Sequence, residues 1–516
     1  GVLVDFTALP QAPRTQEEKR IFNLGLSAMG LFYSHPQTVV VKVTMPPKGA
    51  YLRSAYPERG WCFAESAMSG LAKAANKVID LGHWPDDSDS LWWAICKSKV
   101  MPSAPLDPGD FKKELNKKSF TDKGRDFDQV VKLYSDAFDQ YLGRAKELHY
   151  NDLAWDADSV RKLVLALQSS QSLQLLDLSG NCIGPDGAAV WEALQRIRTL
   201  RSLNLRKNSI GAGGAAVLGK ALLSNEFLVS LDVSDNDIDQ ESAAMMLEPL
   251  RSNSSLQSLS LASNRIGTEG AVALREAVRN NNTLRSLYLG NCGIGPEGAA
   301  AVAEGLRNSR SICVLGLSSN GIGSEGAVAL GQAVRGHAFL QLLDLSENNI
   351  GQPGAASLGQ ALHSSSLQSL DLRWNDLWSE GAAAVGEALR SNKALQSLGL
   401  SGNNIGPEGA AALGQALQDN TSLLSLDLRS NLIGTEGAAS LGKALQNNHS
   451  LQWLNLYNND IGTDGMTALG EALAGNGSLL SLDLRVNDIN PVGASALEEA
   501  KQARIENGGA ALEIEY

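Results

Sequence analysis

The chain has 516 residues, 43% of them apolar, with 51 glycines and an aromatic content of only 5%. That length calls for two or more domains, and many glycines beside few aromatics point to a repetitive fold with close backbone contacts. The formal charge of −12 argues against nucleic acid as the main partner, since phosphate binding needs a basic face, and favours a protein partner with a basic surface.

Five cysteines, at 62, 96, 182, 292 and 313, follow neither metal-ligand nor disulfide spacing. They read as reduced thiols of an intracellular, preferentially cytoplasmic protein, with no metal site expected. No run reaches the roughly 18 apolar residues of a membrane span. The sequence starts at Gly1 rather than at Met, which leaves open a targeting segment before it.

In chain order, "GVLVDF" (1–6) reads as a buried strand. Residues 15–33, with a Thr cap, early acids and apolar residues every three to four positions, read as a helix. "TVVVKVT" (38–44) is a second strand, and residues 60–79, "GWCFAESAMSGLAKAANKVI", a second helix. Strand–helix–strand–helix implies a small Rossmann-like parallel α/β domain, over residues 1–144, whose ligands collect at the carboxyl ends of the strands. Asp5 and Glu65 would both lie on that edge. Residues 91–142 add no pattern that can be assigned.

The order "VDFTALPQ", helix, "TVVV" strand and then R-G-W-C-x-x-E at 59–65 resembles the Toll/interleukin-receptor and heterokaryon-incompatibility superfamily. Similar segments precede leucine-rich repeats in algal and other protist proteins. In enzymatic members of that superfamily the Glu of W-C-x-x-E acts on the ribose during NAD cleavage. The resemblance therefore implies Glu65 as a catalytic residue, with Asp5, Arg59 and Trp61 around it and NAD bound. Without the resemblance the same residues read as a helix start: Trp61, Cys62 and Phe63 anchor it in the core, and Arg59 pairs with Glu65 at the surface. On that reading no cofactor is expected.

From residue 173 the pattern L-x-x-L-x-L-x-x-N-x-I-G recurs twelve times, beginning at 173, 200, 228, 256, 284, 312, 340, 367, 395, 423, 451 and 479. Nine of the eleven steps are 28 residues, and two, from 173 to 200 and from 340 to 367, are 27. A fixed period of this kind marks stacked strand-plus-helix coils. The leucines point into each coil, and the Asn at position nine can satisfy backbone groups where the chain leaves the strand. Cys292 stands at that position in the fifth copy. The G-x-E-G-A-A segments after it let a helix pack closely, with acids such as Glu408 and Glu436 near its positive end.

Over about residues 145–516 the chain resembles the ribonuclease-inhibitor subfamily of leucine-rich repeats. The resemblance implies a curved horseshoe, parallel strands inside and helices outside, and an intracellular protein-binding role. Residues 145–172 form a degenerate amino-terminal capping repeat, 173–490 the twelve repeats, and 491–516 a carboxy-terminal cap that shields the last coil.

Positions three, five, seven and eight of each copy are expected on the hollow face. Asp371/Arg373, Asp427/Arg429 and Asp483/Arg485 recur there every 56 residues. One reading is a self-satisfied ladder of ion pairs. The other takes the exposed aromatics Tyr288, Trp374, Trp378, Trp453 and Tyr457, beside those arginines, as a contact surface, since this is the residue set of binding hot spots. "GAAVLGKA" (214–221) and "GAASLGKA" (437–444) imitate phosphate loops but lack the final Ser/Thr. The sequons at Asn253, Asn281, Asn420, Asn448 and Asn476 read as turn residues. Three functions follow as expectations: a protein-interaction scaffold, a signalling or defence NAD hydrolase with the repeats as its sensor, or a structural subunit of a larger assembly.

Overall fold

The computed structural model describes residues 16, 40–42, 60–71, 78–80, 103–120, 123–168, 170–187, 191, 194, 196–506 and 511–516. The chain divides into two compact units, Gly1–Ala221 with Asn225–Asn236, and Leu222–Ser224 with Asp237–Tyr516.

In the first unit strands β1 (Val40–Lys42) and β2 (Val78–Asp80) pair in parallel, Val40 opposite Val78. The expected strand at 38–44 is thus present in its centre. The expected helix over 60–79 is corrected: it spans Gly60–Gly70 and gives way to β2. Gly70 is a poor helix residue, and the β-branched pair Val78 and Ile79 fits a pleated, half-buried strand better. The strand expected at 1–6 lies outside the described residues, as does the 15–33 helix except for Gln16, which is helical.

Helix Pro108–Asn116 starts on Asp107, whose Oδ1 accepts from the amides of Gly109 at 2.8 Å and Asp110 at 3.3 Å, with Pro in the first turn. Helix Lys123–Phe138 packs beside it and runs into a π-turn, Asp139–Gly143. These are the elements of the segment that sequence pattern left unassigned. Their core is a ring stack: Phe63 to Phe111 at 5.5 Å and Phe111 to Tyr134 at 3.8 Å. The buried Tyr134 hydroxyl donates to the Leu106 carbonyl at 2.7 Å, and burial pushes its pKa up. The Tyr150 hydroxyl, also buried, donates to the Leu71 carbonyl, which ties the helix start at 60–71 to the first coil.

The repeats build a parallel sheet of three-residue strands. In the first unit these are β3 (Glu147–His149), β4 (Leu175–Asp177), β5 (Ser202–Asn204) and β6 (Ser230–Asp232). In the second they are β7 (Ser258–Ser260), β8 (Ser286–Tyr288), β9 (Val314–Gly316), β10 (Leu342–Asp344), β11 (Ser369–Asp371), β12 (Ser397–Gly399), β13 (Ser425–Asp427), β14 (Trp453–Asn455), β15 (Ser481–Asp483) and β16 (Glu513–Glu515). Within each unit neighbours pair in parallel, like position against like, as in Leu370 beside Leu398 beside Leu426. The central leucine of each strand from β4 to β15 is buried, with helices covering that side. The strand-plus-helix turn at 145–172 uses large side chains, Tyr150 and Trp155, with ring centroids 5.0 Å apart.

Two rows of asparagine amides hold successive coils in register. Asn403 donates from Nδ2 to the Leu372 carbonyl of the preceding coil at 2.8 Å and to Leu400 of its own at 2.9 Å. Its Oδ1 accepts from the Asn375 amide at 2.9 Å. A second row lies where helix returns to strand: Asn420 donates to Leu389 at 2.7 Å and accepts from the Leu423 amide at 2.8 Å. Asn253, Asn281, Asn448 and Asn476 hold the same buried place, so these sequons are turn chemistry. On the helical side glycine permits close approach: a Cβ on Gly359 would stand 2.8 Å from the Ala384 carbonyl of the next helix. The two phosphate-loop imitations lie inside helices Gly211–Ser224 and Gly434–Asn447.

Replacing Asn403 by Ala strands buried backbone groups on its own coil and the preceding one, at about 1–3 kcal/mol each, and should lower the urea unfolding midpoint clearly. Cys292 fills the same position with a single weak donor, Sγ to Leu261 at 3.3 Å, so Cys292→Asn should raise the midpoint. Burial pushes the Cys292 thiol up to about 11. At pH 8 a thiol reagent should therefore label exposed Cys182 in the native protein and spare Cys292 until unfolding.

Candidate partner-binding surface

The outward positions of the strands carry the predicted acid–arginine pairs. Arg373 binds Asp371 at 2.6 Å, Arg429 binds Asp427 at 3.0 Å, and Arg485 binds Asp483 at 2.7 Å and Glu515 of the last strand at 2.9 Å. Each arginine is two residues from its acid on the same strand end, so the pair is set by local chain geometry. Asp344 and Asp371 stand opposite each other in β10 and β11. Asp344 there accepts from the amide and hydroxyl of Ser346, and the charge of Arg373 interacts with both carboxylates. Burial alone would raise the Asp483 carboxyl, but the hydrogen bonds and charge of Arg485 outweigh it and hold the pKa below the ordinary 3.8.

The aromatics fall on two different surfaces. Tyr288 is the outer residue of β8, 40% exposed, with its ring against the backbone of Gly316 in the next strand. Tyr457 is half-buried beside the Arg485 guanidinium, 5.9 Å from its ring centre. Trp453 is half-buried in β14 between Ser425 and Ser481. Tyr288 and Trp453 lie in strands, and Tyr457 two residues past the end of β14. Trp374 and Trp378 stand apart from them, Trp374 in the turn after β11 and Trp378 at the start of the helix that follows. Both are at least half exposed, at 58% and 50%, and both have left-handed backbone, φ 56° and 55°. Trp378 takes the place of a glycine that other coils use there, such as Gly406 and Gly434, and it begins helix Trp378–Ser391. The Trp374 ring lies flat over Gly402, where an added Cβ would come within 2.4 Å of it.

Asp5 and Arg59 lie outside the described residues. Trp61 and Glu65 fall within helix Gly60–Gly70, but their side chains are outside the description too. Among the described residues no cluster of His, Cys, Asp and Glu could hold a metal ion, and no helix is long and apolar enough to cross a membrane. Two exposed apolar side chains that pattern reading passed over also have left-handed backbone, Val486 at the repeat position of Trp374 and Leu432 at that of Asp376. An apolar residue at a turn position where neighbouring copies carry Ser, Asn or Asp is the signal that could have found them.

The Leucine Rich repeat family model matches residues 169–190, 196–219, 224–247, 252–274, 280–303, 308–331, 336–359, 363–386, 391–414, 419–442, 447–470 and 475–497. The chain is a leucine-rich-repeat protein. Its twelve matched repeats coincide with the twelve coils counted from the sequence. Among solved structures, this leucine-rich-repeat protein is similar to the actin-binding site 2 of leiomodin-1, at 19% identity, 30% of this chain and 90% of that one, TM-score 0.27. It is also similar to the TLR13–ssRNA13 complex (18% identity, 69% and 44% coverage, TM-score 0.38) and to the Rad7–Elc1 complex of yeast (17%, 66% and 82%, TM-score 0.41). No curated protein matches the chain.

Gly402→Ala should displace the Trp374 ring, shift tryptophan emission and lower the thermal midpoint, the left-handed backbone alone costing about 1–2 kcal/mol with a Cβ. Because its folded pKa is depressed, Asp483 contributes stability at neutral pH that is lost as pH falls through that lowered value. A carboxyl NMR titration should place it below 3.8, and Arg485→Ala should move it upward, since only the amide of residue 485 and the charge of Arg429 then oppose burial.

Proposed function

We propose that this leucine-rich-repeat protein is a protein-interaction scaffold of the ribonuclease-inhibitor type, holding a protein partner with a basic surface against its strand face. Within it, residues 1–144 form a separate α/β domain, 145–172 and 491–516 serve as caps, and 173–490 are the binding repeats. The observation that supports this reading best is the strand face of the second unit. It presents Tyr288, and Tyr457 with Arg485 against its ring, among Ser, Asn and Asp side chains on a rigid sheet. Aromatics and arginines held in fixed positions lose little entropy on binding and are the residues that dominate interface energetics. The overall charge of −12 favours a basic partner and speeds its encounter.

A photoreactive amino acid placed at residue 457 should crosslink one partner reproducibly in cells, whereas the same group at residue 443, on the exposed side of helix Gly434–Asn447, should not. Tyr457→Ala combined with Arg485→Ala should weaken capture of that partner by about tenfold or more. Equal crosslinking from both positions, or unchanged capture by the double variant, would count against the strand face.

A further inference from the structure

The edge of the second unit at which strands turn into helices is acidic and carries exposed tryptophans. Every helix from Gly267–Asn280 to Gly462–Leu473, except Gly351–Leu362, has a carboxylate in its first turn. The helix dipole accounts for acids at those positions. It does not account for Glu347 and Asp376, which lie in the turns ahead of the helices and flank Trp374 in the chain and across the coil boundary, the Glu347 amide donating to the Arg373 carbonyl at 2.8 Å. Nor does it account for Trp374 and Trp378 themselves.

The carboxylates around the tryptophans carry no ion pair among the described residues. Glu347 accepts from the Ser319 hydroxyl at 2.8 Å, Asp376 from the Asn404 amide at 3.5 Å, and Glu380 from the Gln352 amide at 3.0 Å, all neutral donors. The nearest arginine in sequence, Arg373, is held by Asp371. Two exposed indoles amid three carboxylates without a cation form a surface complementary to cationic side chains: guanidinium or ammonium groups stack on indole faces and pair with carboxylates. Other coils show what a plain turn uses instead, Ser319 and Ser430 at the position of Trp374, and Gly406 and Gly434 at that of Trp378.

We propose that this turn edge, centred on Trp374 and Trp378, binds an extended arginine- or lysine-rich segment of a protein partner, with Glu347, Asp376 and Glu380 taking its charges. The proposal rests on the interaction reading above but assigns a different surface, off the strand face.

The test uses the full chain and two synthetic peptides of equal length, one alternating Arg and Gly, the other Glu and Gly, titrated by calorimetry at near-physiological salt. Trp374→Ser with Trp378→Gly introduces residues that other coils use at these positions, leaves the net charge unchanged and removes two strained positions, so folding is retained. The arginine peptide should bind the natural chain and the glutamate peptide should not. The tryptophan double variant, and separately Glu347→Gln with Asp376→Asn and Glu380→Gln, should each weaken binding about tenfold or more, while Tyr457→Ala should leave it unchanged. Undiminished binding by the tryptophan variant would show attraction to net charge alone and overturn the proposal. So would absence of binding, or a dimer of the natural chain that the tryptophan variant turns into monomer, which would make a second copy the occupant. Loss on Tyr457→Ala alone would sink the edge site and leave the strand-face reading standing.

Discussion

The buried asparagine side chain that bridges one coil to the next is the interaction on which everything else in the repeats depends. A three-residue strand makes few ladder bonds of its own, and the chain must then turn away inside a packed core where water cannot reach its amides and carbonyls. One carboxamide, with two donors and an acceptor, answers these groups on two coils at once, as Asn403 does. The second row, exemplified by Asn420, does the same where helix returns to strand. With both turns fixed by buried side chains, every coil repeats the same register, and the outward positions are released from structural duty. Those outward positions are where the coils differ, and where a partner can be selected.

This division explains what was legible in advance. The coils announce themselves because twelve copies carry the same instruction, so one deviant position such as Cys292 does not obscure the period. The acid–arginine pairs were legible too, because partners two residues apart at a strand end meet whatever surrounds them. The two surfaces were harder to separate. Positions five and eight of a copy look like parts of one outward row, yet the strand closes at position five, and by Trp374 the chain has already entered left-handed turn backbone. Only the length of the strand, which tertiary pairing sets and pattern does not, moves the tryptophans off the face. The helix expected over 60–79 failed for a related reason: local apolar spacing favoured a continuous helix, while pairing with Val40–Lys42 made a strand of its last residues.

A further regularity runs between coils rather than within them. In three places a coil projects a large or strongly engaged side chain and the next has glycine at the same position: Tyr288 with Gly316, Trp374 with Gly402, Asp371 with Gly399. At coil spacings of about 4.8 Å a bulky group cannot stand upright beside another Cβ, so it leans over its neighbour and needs that space clear. The glycine then belongs functionally to the preceding residue. A large side chain can be exchanged for a small one with little disturbance, whereas the reverse exchange needs two changes together.

Strand β16 departs from the leucine-centred strands before it. A parallel ladder has no natural length: each strand presents its far edge as a template for another, and a sheet of identical coils invites unlimited growth. Among the described residues β16 pairs only with β15, and its sequence is Glu-Ile-Glu, with both acids exposed. A like strand arriving in register would set carboxylate beside carboxylate, which repels. Glu515, held inward by Arg485, is neutralised on the side that belongs to the protein, leaving the charge of Glu513 to meet whatever approaches from outside. The outer edge of β16 is thus charged against an identical strand in a fold otherwise built from repetition.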